Sequence, residues 1–326
     1  ITAVLNTDDF AFSGGGHTSV YGPGVNPADP EHTPGGSSNG SATAVASGQL
    51  DISLGGDQGG SIRIPSSFSG IVGHKPTHGL VPYTGLVGFD QTIDHIGPMS
   101  KTVSDAALLL SAIAGVDDTA IDPRQPSTID VPDYLAALTG DMTGLKIAVI
   151  KEGFETPEAM DTVNAAVRGA IETFTALGAE VAEVSVPMHT YTIPLWNCVA
   201  IEGGLDSFTH GHQAYQTKGY FNPKLQSAMM RGLKTHAHDL SPTAKLGMLV
   251  AHYMRTRYDG VFYARAQNFS RALTAAYDAV LDTADLVVMP TTPQTAHKRP
   301  ALPEEDRAEH ISQALNMCWN TAAFDL

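Results

Sequence analysis

The spacing of apolar and polar positions divides the chain into recognisable segments. LKIAVIKE (145–152) and AEVAEVSVP (179–187) read as strands. Between them, residues 157 to 177 carry apolar side chains at helical spacing, with Pro157 near the start. This β-α-β order predicts parallel strands covered by helix. DISLGG (51–56) reads as a short buried strand ending at glycines, and DLVVMPTTP (285–293) as a buried strand entering a proline-rich loop. Loops at such strand ends often face a ligand. Helical character begins at Ser38, where SATAVASG (41–48) supplies small residues and Gly48 the C-cap, and TVSDAALLLSAIAG, from Thr102, reads as a helix with a Ser/Asp capping pair and Gly115 as its stop. A helical region is predicted from about Ser241 to Thr283, interrupted near Asp259. The fold class expected is α/β: a mixed, largely parallel central sheet covered by helices on both faces.

Other stretches lack a period. Residues 13–41 are loop-rich, with SGGGHTS, YGPGVNPADP and TPGGSSNGS in succession. Loops this long with so many glycines are usually functional or disordered. FSGIVGHKPTHGLVP reads as loop, strand and turn, and DDTAIDPRQPST as a loop. Residues 190–245 are rich in Gly, His and aromatics and are expected to be an insertion that shapes a pocket. No linker divides the chain, so residues 1–326 are expected to form one domain. ITAVLN at one end and AAFDL at the other look like cuts through that domain, which is therefore expected to be incomplete.

Composition narrows the function. With 34 acids against 19 bases the net charge is −15, which disfavours binding to nucleic-acid phosphates or an anionic membrane. No apolar run is long enough to span a bilayer, and the first residues lack the basic and apolar regions of a signal peptide. Cys198 and Cys318 give neither a metal spacing nor a disulfide framework, which fits a cytoplasmic protein. The thirteen histidines, including the pairs His210/His212 and His236/His238, show no HExxH or other ligand spacing, so no metal site is expected.

GGDQGGSIRIP (55–65) surrounds Ser61 with residues that free or fix the backbone. Gly59 and Gly60 allow close approach and positive φ, so successive N–H groups can point into one concavity and form an oxyanion hole. A serine closing such a turn has its hydroxyl beside those donors, as an acyl-transfer nucleophile requires. A helix-capping serine in a plain turn would look the same. A second Gly-Gly-Ser, at Gly35, Gly36 and Ser37, lies 24 residues upstream. The helix and strand between them can return both turns to one end of a sheet.

GGSSNGSA and GDQGGSIRIP together resemble the amidase signature family. The signature covers roughly residues 33–80, and the general likeness runs along the whole chain. With GHKPTHGLVPYTG and TIDHIGP, the chain looks most like the bacterial amidases associated with nitrile hydratases and nitrile degradation. The resemblance implies hydrolysis of a carboxylic amide to acid and ammonia, with no cofactor. By motif, Ser61 would be the acyl-enzyme nucleophile. Ser37 would be the proton-relaying serine, with a cis peptide bond after Gly36. Gln58, Gly59, Gly60 and Ser61 would supply oxyanion-hole amides. Asp57 and Arg63 would form an ion pair or hydrogen-bond network holding the turn. The family's triad lysine lies upstream of its first GGSS. This chain has no lysine before Lys75, and neither Lys75 nor Lys101 stands where the family places its base. The base is thus expected to lie outside these residues, and the chain alone to be inactive. Trp196, Phe208, Tyr215, Tyr220 and Phe221 are candidates for the acyl pocket, each equally readable as packing. A homodimer is possible.

The amidotransferase component that amidates mischarged tRNA together with partner subunits carries the same motifs. A catalytically dead homologue would too. A Ser-His-Asp triad could be built on His95 and Asp94, but GxSxG is missing. A phosphate-cradling glycine loop is conceivable, but GxxxxGK[ST] is absent.

Overall fold

The computed structural model describes residues 1–119, 121–209, 219–300 and 305–326, with Asp206 and Ser207 described by backbone alone. The chain runs α1 (Asn39–Ala46), β1 (Ile52–Asp57), α2 (Arg63–Ser69), β2 (Val72–Gly73), β3 (His95–Ser100) and α3 (Val103–Ile113). β4 (Lys146–Ile150), α4 (Asp161–Ala176), β5 (Glu180–Val184), α5 (Thr192–Asn197), α6 (Leu205–Thr209) and α7 (Pro223–His236) follow. α8 (Pro242–Tyr258), α9 (Val261–Leu281), β6 (Leu286–Val288) and α10 (Arg307–Leu315) complete it.

The α/β class and the parallel β4-α4-β5 unit agree with the periodicity. The strands are divided, however, into two three-stranded sheets among the described residues. β5-β4-β6 is parallel, with Ile147 opposite both Val181 and Leu286. β1-β3-β2 is antiparallel, with Gly55 opposite Gly97 and Asp57 opposite His95. β3 has no clear strand signal because Gly97 and Pro98 interrupt it. It tolerates Pro98 because β2 is only two residues long and pairs with Met99 and Ser100.

β1 faces the opposite way from its apolar pattern. Ile52 and Leu54 are exposed, whereas Ser53, Gly55 and Asp57 are buried. Its inner face meets α1, whose small residues let the backbones approach. Ser41 Oγ donates to the Leu54 carbonyl at 2.7 Å, and Ser38 Oγ both donates to the Gly56 carbonyl (3.2 Å) and accepts its N–H (3.1 Å). Polar bonds therefore override the hydrophobic alternation here.

Element ends follow local chemistry. Thr102, rather than a serine, caps α3 by accepting the Asp105 N–H at 3.1 Å. α4 begins at Asp161, and Pro157 lies in the turn before it. Asp259 and Gly260, both left-handed at φ 55° and 75°, separate α8 from α9. The stretch 190–245, weak in period, is largely helical where described. It includes a π-helix at Cys198–Gly204 whose Val199 and Ala200 are fully buried.

One apolar cluster lies beneath the glycine-rich turns. It joins Phe12, Ile64, Phe68, Phe89, Trp196, Phe208, Met317 and Cys318 from distant parts of the chain. Among the described residues, no helix is long and apolar enough to cross a membrane.

Candidate active site

The two Gly-Gly-Ser turns meet. The backbone N–H of Ser37 donates to Ser61 Oγ at 3.2 Å, and both side chains are buried. Close packing on the helix after Ser61 enforces this. A Cβ at Gly35 would strike Phe68 of α2, and one at Gly36 would strike Pro65. Both glycines take positive φ, 73° and 65°.

The Ser37 carbonyl is held from the other side. It accepts from Asp8 N (3.1 Å), Thr7 Oγ1 (3.0 Å) and Asn39 Nδ2 (3.2 Å). Asp8 accepts in turn from Gly16 N (2.9 Å), Thr18 N (3.0 Å) and Asn39 Nδ2 (3.2 Å). Burial pushes the Asp8 carboxyl up to about 7 against these donors. The cis bond expected after Gly36 is absent: every peptide bond among the described residues is trans. The two left-handed glycines turn the chain instead.

Arg63 locks the Ser61 turn. Its Nε and Nη2 donate to Asp57 Oδ2 and Oδ1 at 3.0 and 2.8 Å. Nη2 also reaches Asp325 Oδ2 at 2.6 Å, and Nη1 reaches the Thr321 carbonyl at 2.7 Å. Asp57 takes the N–H groups of Gly60 (2.6 Å) and Ile62 (3.0 Å). Burial alone would raise the Asp57 carboxyl, but the Arg63 charge and its hydrogen bonds outweigh it and hold the group below the carboxylate range. Burial wins at Asp325, which is raised despite Arg63.

The four amides expected to form an oxyanion hole differ in their hydrogen bonding. Gly60 gives its N–H to Asp57, while the N–H groups of Gln58, Gly59 and Ser61 make no hydrogen bond among the described residues. The turn's carbonyls are engaged: Gln58 O accepts from Trp196 Nε1 and Gly59 O from Thr321 Oγ1, both at 2.6 Å. A Cβ at Gly59 would collide with the Trp196 ring.

Ala11, Phe12, Ser13, Gly14, Gln58, Gly59, Ser61, Phe89, Trp196, Leu315 and Cys318 line a cavity of about 20 Å³. Burial and the neighbouring Asp57 and Asp325 charges push the Cys318 thiol up to about 12, so it stays protonated. Of the aromatic pocket candidates, Trp196 lines this cavity and Phe208 lies in the cluster below it. Tyr220 and Phe221 are exposed, and Tyr215 lies outside the described residues.

Lys75 donates to the Pro76 carbonyl at 3.1 Å and feels the charges of Asp325, Arg63 and Asp57. No lysine bonds to Ser37 or Ser61 among the described residues. His95 Nδ1 engages the Ile93 carbonyl at 2.9 Å, while Asp94 accepts the Phe89 N–H, so these two form no triad with a serine. No group of three or more metal-ligating side chains occurs among the described residues.

Comparison with known proteins gives the family. The family model described as Amidase matches residues 1–325. The chain belongs to the Amidase family. It is 43% identical over 323 residues to an enantioselective amidase of Rhodococcus rhodochrous, covering 98% of this chain and 61% of that protein. It is 36% identical over 321 residues to the A subunit of the glutamyl-tRNA(Gln) amidotransferase of Synechococcus sp. (strain WH7803), covering 97% of this chain and 64% of that one. The crystal structure of the corresponding protein from Thermotoga maritima superposes with a TM-score of 0.74 at 30% identity, covering 98% of this chain and 63% of the other. A bacterial aryl acylamidase shares the fold, with a TM-score of 0.78 at 22% identity, covering 98% of this chain and 62% of the other. The chain thus spans less than two thirds of the length of these relatives.

Asp8, Asn39, Thr321 and Asp325 were missed by sequence reasoning. Asp8 and Asn39 flank the first motif and could have been suspected from NTDD and SSNG. Thr321 and Asp325 are brought in by folding from more than 250 residues away, without a local signal.

Proposed function

We propose that the protein hydrolyses carboxylic amides, with Ser61 as nucleophile and Ser37 as its proton relay. The observation that carries this reading is the Ser37 N–H on Ser61 Oγ, which brings both turns to one buried point. The hydroxyl of Ser61 attacks the amide carbon, forming the C–O bond of a tetrahedral intermediate. Its proton passes by way of Ser37 to a base. The N–H groups of Gln58, Gly59 and Ser61 receive the developing oxyanion, each worth about 3 kcal/mol in systems of this type. Collapse expels ammonia, which takes the relayed proton, and water then hydrolyses the ester to the acid.

The relay needs a base. The family resemblance implies a neutral lysine, and no lysine described here bonds to either serine. The base is accordingly proposed to come from outside the described residues. Substrate amide, homodimerisation and a cytoplasmic site belong to the same proposal.

A fluorophosphonate probe tests it. The protein expressed from its full reading frame is expected to be labelled on Ser61 and to release ammonia from simple amides. Turnover that survives Ser61→Ala would overturn the reading. The likeness to the amidotransferase proteins supports a second reading, in which glutamine is the amide and ammonia passes to a partner. Glutaminase activity that appears only with partner subunits would select it.

A further inference from the structure

The cavity at Ser61 has room for about one water, so any acyl group must displace a wall. Most of its walls are tied. Trp196 is bonded to Gln58, the Gln58–Ser61 turn is held through Asp57 and Arg63, and Phe89 gives its N–H to Asp94 at 2.9 Å. Leu315 and Cys318 contribute to the lining as well, and the last wall, Ala11–Gly14, is anchored at its far end, where the Gly14 carbonyl accepts the Gly36 N–H at 2.5 Å. Its near end carries the only consecutive pair of left-handed non-glycine residues among those described: Phe10 at φ 50° and Ala11 at φ 57°. Such backbone is costly and persists only where its surroundings enforce it.

The surroundings that enforce it are visible. Asp9 Oδ2 and Oδ1 accept the Ser241 N–H at 2.9 Å and its hydroxyl at 3.0 Å, at the N-cap of α8. Phe10 packs on Phe208 with ring centroids 4.4 Å apart. Phe12 stacks between Phe89 at 5.8 Å and Trp196 at 6.5 Å, with interplanar angles of 12° and 8°. Beyond these, Gly14 donates to the Ala314 carbonyl of α10 at 2.6 Å.

We propose that Asp9–Gly14 is a strained strap, latched by Asp9 to Ser241, that sets which acyl groups reach Ser61. Shut, it admits water. Releasing the latch lets Phe10 and Ala11 relax to negative φ and withdraws Phe12 from between the two rings. Asp9 is therefore a specificity-determining residue that acts through the strap without touching substrate. The proposal rests on Ser61 as the reacting group.

Two variants shift the strap in opposite directions. Asp9→Ala removes the latch, and Ala11→Gly removes the cost of the left-handed residue and so favours the shut form. The protein from its full reading frame is compared in a background in which Trp319 and any tryptophan outside these residues are replaced by Phe, so that Trp196 is the sole tryptophan. In Asp9→Ala, acrylamide quenching of Trp196 and hydrogen exchange at residues 9–14 should rise. The labelling rate of a naphthyl fluorophosphonate should rise roughly fivefold relative to a methyl one. Ala11→Gly should lower all three. Unchanged exchange and quenching in both variants, or a labelling ratio that ignores them, would overturn the strap. If exchange and quenching move as expected but neither probe labels Ser61, the strap stands as a gate and the nucleophile reading falls.

Discussion

The indole N–H of Trp196 donates to the Gln58 carbonyl at 2.6 Å, across 138 residues of sequence. This bond fixes the peptide plane that also carries the Gly59 N–H, because a planar amide turns its two ends together. A donor on the helical region thus sets the direction of the Gly59 amide, one of those proposed to receive the oxyanion. Removing it leaves a buried carbonyl unpaired.

Trp196→Phe should therefore lower kcat more than it raises KM, by about tenfold, and destabilise the fold by about 1–3 kcal/mol. Steady-state kinetics and urea unfolding measure the two effects. A variant that loses stability and keeps its kcat would show that Trp196 packs without orienting the turn.

The Asp57–Arg63 pair gives a second prediction. Asp57→Asn leaves Arg63 buried with Asp325 as its remaining carboxylate partner and weakens the hold on the Gly60 and Ile62 amides. A loss of about 3–5 kcal/mol is expected for breaking a buried pair. The pH sign follows from the depressed carboxyl. Its contribution is present above the unfolded value of about 4 and is lost as pH falls through the folded one. Acid unfolding of the parent should thus be steeper below pH 4 than that of Asp57→Asn. Equal acid slopes would refute it.

Asp94 has the opposite sign. Burial pushes its carboxyl up to about 7, with Asp90 adding to the rise and the Phe89 N–H and Arg124 opposing it. Between about pH 4 and 7 the folded state holds a proton that the unfolded state has lost, so stability falls as pH rises through that window. Asp94→Asn mimics the protonated acid and removes this slope. Its stability relative to the parent should climb on the order of 2–4 kcal/mol from pH 4 to 8. A difference that stays constant across this range would show that Asp94 is not protonated in the folded protein.

How much of this was legible in the sequence depends on the range of the forces involved. The β4-α4-β5 unit was legible because β4 is buried on both faces, with Ile147, Ala148, Val149 and Ile150 all buried, while α4 and β5 keep their apolar period on one side. β1 was placed correctly but turned over, because serine hydroxyls and a glycine decide its inner face rather than hydrophobic area. Ser37 and Ser61 were legible as motifs because glycine marks positions where a Cβ cannot fit. That Gly60 spends its N–H on Asp57 was not legible, since either hydrogen bond is compatible with the same letters. Asp325 on Arg63 is a contact across 262 residues, and nothing local announces it.

Ser37 and Gly36 separate positioning from proton transfer. The bond to Ser61 Oγ comes from the main chain of Ser37, so Ser37→Ala keeps it and removes only the hydroxyl proposed as the relay. Fluorophosphonate labelling of Ser61 should fall by about 10² to 10⁴, the range for loss of a proton-transfer group, with thermal stability little changed. Gly36→Ala does the reverse. Its φ of 65° is strained for alanine, and its methyl would run into Pro65. Either outcome, a shifted turn or a displaced α2, moves the Ser37 N–H off Ser61. Labelling should then fall together with Tm, and hydrogen exchange at Ser37 should quicken. If Ser37→Ala labels as fast as the parent, Ser37 merely holds Ser61 in place, and another group must take the proton.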